Sequence, residues 1–236
     1  RNELRKSIQT RGFMLLFCWV MLNDSALAWP EFERSVRMES TWAAENMVYN
    51  GMPMRIENFE CQCQAEEVLD FYRERWARLK HGYVENDLGR FQQISRGTQR
   101  FFFSVQVREH DLDASASVGR LSTMKLPQRE SDLPMLGVDV PRFDDSEVIT
   151  DIHDAVPGKR IRTVTMANSR SLAENLNYYE RRYSQAQGWK PMLVPISMDR
   201  GNQALSFQRE SVEVNIVMYS SRLGTNILFN EVRSVF

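Results

Sequence analysis

Cys61 and Cys63, two residues apart and just upstream of a helical pattern, are the side chains with the most evident reactive potential. In an extended backbone residues i and i+2 share a face, so the two thiols can pair with each other, pair with another chain or stay free. A cysteine at a helix start can also carry a lowered pKa and act as a nucleophile, which makes Cys61 and Cys63 the catalytic candidates. Against that role, no CxxC spacing and no neighbouring histidine accompanies them.

A second cluster surrounds His153, with Asp144, Asp145, Glu147, Asp151 and Asp154 nearby. Asp151, His153 and Asp154 are the metal candidates, since carboxylates gathered in one loop can hold a hard cation. The cluster lacks the regular spacing and the glycine of a calcium loop, so a solvated acidic edge is the simpler reading. His81 and His110 stand apart from it, and no HExxH spacing occurs. Gly-rich phosphate loops, a GxSxG elbow and paired catalytic carboxylates are also absent from the sequence. No metal or cofactor is expected.

Aromatic residues supply a third set. Phe71-Tyr72 and Tyr178-Tyr179, with Trp76 and Tyr183, fall on helical stripes, where rings ordinarily fill a core. Phe71 and Tyr178 flank those stripes and are free to meet a partner. In Phe101-Phe102-Phe103 an extended backbone sends the outer two rings to one face and Phe102 to the other. Phe71, Phe102 and Tyr178 are therefore the interface candidates.

The elements that must carry these residues repeat. Residues 65–79 (AEEVLDFYRERWARL) and 172–186 (LAENLNYYERRYSQA) share Glu67/Glu174, Leu69/Leu176, Tyr72/Tyr179 and Arg75/Arg182 at a constant offset. Their apolar stripes run Ala65, Leu69, Tyr72, Trp76, Leu79 and Leu172, Leu176, Tyr179, Tyr183, Ala186, at helical spacing. Ser171 with Glu174 has capping-box spacing, whereas Gln64 caps the first helix poorly. A hairpin precedes each helix, turning at Asn50-Gly51 and at Pro157-Gly158. About four short strands follow each, with Phe103 matched to Phe207 and Gly119 to Gly224 as landmarks. The fold class is α+β: two tandem repeats of a β-β-α-β-β-β(-β) unit, one helix on a mostly antiparallel sheet in each. The repeats occupy 36–126 and 144–236. Residues 127–143, with three prolines, form the linker, and Leu133, Met135, Leu136 and Val138 should pack part of it down.

The N-terminus names a compartment. Arg1, Arg5, Lys6 and Arg11 precede an apolar run from Phe13 to Leu22, and Ala26-Leu27-Ala28 has a small-residue cleavage pattern. Residues 1–28 read as a secretory signal peptide; the run is about half the length of a transmembrane helix. Export to a periplasmic or extracellular compartment follows, with no stable membrane span after cleavage. The 236-residue chain carries 30 basic and 31 acidic residues, which leaves no excess of positive charge for nucleic acid.

Three functions fit these residues. The sequence favours a non-enzymatic interaction or accessory module of a bacterial-type cell envelope, whose partners are other envelope proteins. A thiol-dependent enzyme using Cys61 or Cys63, and a small-ligand carrier with a site between the repeats, are the alternatives.

Overall fold

A computed structural model describes residues 28–193 and 202–235. The proposed signal peptide, residues 1–28, lies almost wholly outside them. Within the described residues, strands β1 (Met38–Tyr49) and β2 (Met52–Cys61) form the first hairpin, followed by helix α1 (Ala65–Trp76). Strands β3 (Val84–Asp87), β4 (Gln92–Gly97), β5 (Phe101–Glu109) and β6 (Ser117–Lys125) come next. The second hairpin, β7 (Glu147–Val156) and β8 (Lys159–Asn168), leads into α2 (Leu172–Arg182). Strands β9 (Lys190–Pro191), β10 (Asn202–Arg209), β11 (Val212–Ser221) and β12 (Gly224–Ser234) complete the chain.

Among the described residues the fold is mostly antiparallel β with two helices, and every strand belongs to one open twelve-stranded sheet. The order is β3-β4-β5-β6-β2-β1-β7-β8-β12-β11-β10-β9. Read outward from the centre, each half runs hairpin, last strand, then the remaining strands in reverse. The halves join where β1 pairs with β7 through Val48↔His153 and Tyr49↔Ile152.

Strand parity places the helices. Phe59, Cys61, Ile94, Val105, Val107 and Leu121 pack with α1 residues Val68, Leu69, Tyr72 and Trp76 in one core. Val164, Met166, Ile216, Met218, Ile227 and Phe229 pack with Tyr179 and Tyr183 in the other. Val48 pairs with Pro53, on the Phe59 side of β2, and His153 pairs with Arg162, on the Val164 side of β8. Because Val48 and His153 face each other across the seam, both helices lie on the same face of the sheet.

Each helix is pinned by a tyrosine. The Tyr72 hydroxyl donates to the Glu33 carbonyl (2.7 Å) and Tyr179 to the Pro141 carbonyl (3.1 Å), so the strap preceding each hairpin is tied to the helix it crosses. Burial pushes both phenols well above their usual range. Ser171 caps α2, accepting from the Glu174 N–H, while Glu174 accepts from the Ser171 N–H. At α1 the Gln64 N–H donates to Glu67, and the Ala65 N–H is taken by Glu109 from β5.

Several local readings shift. α1 ends at Trp76, so Leu79 lies beyond the stripe and is exposed. In α2 Asn175 is fully buried along with Tyr179, its amide paired, while Leu176 is only partly buried. Leu133, Met135 and Val138 are exposed; the segment is held by buried Val140 and by the Gly137 N–H instead. Phe103 lies in β5 and Phe207 in β10, one strand nearer the sheet's edge, so that landmark pair does not occupy matching strands. Four strands follow α1; the first of them, β3, has four residues that are all exposed and carry no alternation of burial.

Candidate functional site

The face opposite the helices carries the least conventional surface. Cross-strand register sets its side chains in rows over β1, β2, β6 and β5. The first row is Met47, Met54, Met124 and Phe102; the second is Ala44, Ile56, Ser122 and Ser104. The third, Thr41, Asn58, Arg120 and Gln106, and the fourth, Glu39, Glu60, Val118 and Arg108, bring the charges. β4 extends the first two rows with Gly97 and Ser95. Across the seam Tyr49 meets Ile152, and a further pair of uncharged rows follows. One is Ile152, Thr163, Asn230, Asn215 and Ser206; the other is Thr150, Thr165, Leu228, Val217 and Ala204.

A solvent-facing sheet surface ordinarily carries many long charged side chains, which also discourage unwanted association. Here two rows per half carry none. Methionine dominates the centre, and its unbranched, polarisable chain adapts to varied apolar partners. The charged end is different: Glu39, Glu60, Arg108 and Arg120 line a concavity of about 450 Å³ with Thr41, Asn58 and Val118. Glu39 and Glu60 stand directly opposite each other, a like-charge arrangement that is unfavourable in an isolated sheet. Among the described residues no hydrogen bond or ion pair engages the side chains of Glu39, Glu60 or Arg120. Arg108 is tied to Asp111 (2.7 Å) and lies against the Phe91 ring.

The sequence candidates are dispersed. Cys61 and Cys63 form a disulfide at the corner between β2 and α1, and each residue is at most 2% exposed. They join the core beneath α1, with no open thiol at the surface. At the corresponding corner between β8 and α2, Asn168 and Asn175 exchange amide hydrogen bonds of 2.9 and 3.0 Å. The disulfide closes the turn that leads from β2 into α1, whereas the buried amide pair fastens the end of β8 to α2 itself.

Asp151 is nearly buried, its carboxylate accepting from Arg162 Nε (3.0 Å) and Nη2 (2.7 Å) and from the Gly137 N–H (2.7 Å). Its backbone is held as well, for Asn50 accepts from the Asp151 N–H and donates its own N–H to the Asp151 carbonyl. Burial pushes this carboxyl up, but Arg162, the Gly137 N–H and the His153 charge outweigh it and hold the pKa below the ordinary value. His153 Nε2 lies 3.0 Å from Asp151 and is half exposed, while the Asp154 side chain accepts from the Ala155 N–H. The arrangement is a strut between the Asn50-Gly51 turn, the linker and β8. Among the described residues, no group of three His, Cys, Asp or Glu is arranged to hold a metal ion.

Phe71 sits on α1, edge-on to Tyr72 and beneath Arg75. Tyr178 lies tilted against Phe143 and donates to the Arg142 carbonyl. Both are on the helix side, whereas Phe102 is on the opposite face beside Met124, with Phe101 and Phe103 turned toward the helices. The three aromatic candidates therefore do not share a surface. Sequence reading missed Met47, Met54, Ile56 and Met124, whose period-two spacing was visible but whose common row depends on pairing between distant strands. Among the described residues no helix is long and apolar enough to cross a membrane. No family model, no characterised protein and no solved structure matches this chain.

Proposed function

We propose that the chain is an exported, non-enzymatic interaction module of a bacterial-type cell envelope, engaging other envelope proteins through the helix-free face of its sheet. The observation that carries this reading is the uncharged, methionine-centred surface formed by Met47, Met54, Ile56, Met124 and Phe102, spread over four strands from both ends of the first half. Broad, apolar and free of catalytic groups, such a surface suits a protein partner better than a small substrate.

The two halves are tandem copies of one β-β-α-β-β-β(-β) unit, over 36–126 and 144–236, with 127–143 between them. Support comes from the matching strand orders and from the tyrosine that anchors each strap. Export is supported by the leader pattern of residues 1–28 and by the paired cysteines, which persist in oxidising compartments.

Affinity capture from envelope extracts tests the reading. The unmodified chain and a Glu180→Ala control on exposed α2 should retain the same partner, and Phe102→Lys with Met54→Lys should lose it without loss of thermal stability. Equal retention by all three proteins overturns the assignment of the face.

A further inference from the structure

Resting on that assignment, we infer that the first half's helix-free face is the seat for a second copy of this chain, packed sheet to sheet about a two-fold axis parallel to the strands between β2 and β6.

Charge order carries the inference. Along the fourth row the sequence across the strands is Glu39, Glu60, Val118, Arg108, negative on one side of the axis and positive on the other. A two-fold at that position sets Glu39 over Arg108 of the second copy and Glu60 over Val118, diagonal to Arg120. Each interaction occurs twice, as an isologous interface requires. The Glu39 and Glu60 pair, unfavourable within one chain, acquires counter-charges from the other.

The remaining rows are compatible with the same operation. Met47 meets Phe102 and Met54 meets Met124 in the first row; Ile56 meets Ser122 in the second; Thr41 meets Gln106 and Asn58 meets Arg120 in the third. No like charges are brought together in these four rows. A partner rich in charge would leave its own groups dehydrated over the first two rows, so the neutral centre favours a surface of the same kind.

Size fits a weak, concentration-dependent pair. With strands about 4.8 Å apart and same-face residues about 6.8 Å apart, the four rows on β1, β2, β6 and β5 offer roughly 520 Å² per copy, to which Gly97 and Ser95 of β4 add. Standard stable interfaces bury about 800 Å² per partner, and weak ones less. Sheets packed face to face lie about 10 Å apart, which the methionine and phenylalanine rows span. The uncharged rows of the second half, with Leu228 and Val217, stay open for a different protein.

Analytical ultracentrifugation of the full chain, from low micromolar to submillimolar concentration, tests this directly. The species should move from the monomer mass toward twice that mass, with weaker association in high salt. The double variants Glu39→Arg/Glu60→Arg and Arg108→Glu/Arg120→Glu should each weaken self-association by about tenfold or more. An equimolar mixture of the two should restore a dimer, a result that misfolded variants could not give. A chain that stays monomeric throughout, or charge variants that associate as the unmodified chain does, overturns the second-copy assignment. If the monomeric chain still captures another protein through Phe102 and Met54, the docking face stands and only its occupant is wrong; with no such capture, both fail.

Discussion

Replacing Asp151 by Asn should destabilise the protein, because it strips the charge from a nearly buried ion pair. The carboxylate accepts three charge-assisted hydrogen bonds, two from Arg162 and one from the Gly137 N–H, with its side chain 5% exposed. Asn keeps the shape but removes the charge and turns an amide donor toward a guanidinium or an N–H. Hydrogen bonds to charged groups contribute about 1.5–3 kcal/mol each but share one carboxylate here, so the whole loss is about 3 kcal/mol. For a chain of this size that corresponds to a melting temperature lower by roughly 6–12 °C. Urea titration followed by tryptophan fluorescence measures it. The pH dependence has a definite sign. Because the folded-state pKa is depressed, this contribution is fully present above the ordinary carboxyl value of 3.8 and disappears as pH falls through the lowered value. The stability difference between the unmodified chain and Asp151→Asn should therefore be constant near neutrality and close toward zero in acid. A variant within about 0.5 kcal/mol of the unmodified protein at neutral pH refutes the strut assigned to this cluster.

Other changes separate structural from chemical roles. Cys61→Ser with Cys63→Ser should lower stability by about 1–2 kcal/mol, because the closed loop is short, while leaving partner capture intact; loss of capture at unchanged stability contradicts a purely structural disulfide. Asn175→Ala removes both amide bonds to Asn168, which keeps Ser146 and the Arg170 N–H as partners, and should cost about 1–2 kcal/mol in a denaturant titration, whereas an unchanged midpoint denies the amide clamp. Gly119→Ala places a methyl 2.1 Å from the Gln106 carbonyl and 2.5 Å from the Phe59 ring, so thermal unfolding should shift downward by about 4 °C or more; a neutral result means β6 can move away from that ring.

Local signals in the sequence were legible where they depend on neighbours in the chain. The turns at Asn50-Gly51 and Pro157-Gly158, the Ser171 cap and the Phe101-Phe103 alternation rest on spacing alone, and the structure has each where that spacing places it. What depends on distant pairing was not legible. Phe103 and Phe207 resemble each other in their flanks, yet period two gives every strand the same alternation, so similarity could not say which strand each occupied. The continuity of the sheet rests on the short β1–β7 seam and on Asn50 reaching Asp151, contacts made across about a hundred residues. Methionines 47, 54 and 124 lie in three separate strands, and only their register makes them one row. Asp151 looked like a member of an acidic surface because Arg162, its partner, is contributed by the next strand.

Photocrosslinking in the living envelope measures the central claim most directly. A benzophenone amino acid at position 122 or 124 lies within the helix-free face, and one at position 180 reports the exposed side of α2. Discrete adducts from 122 and 124 with none from 180 are the expected result. Adducts confined to position 180, or none at any of the three, contradict the docking role assigned to that face.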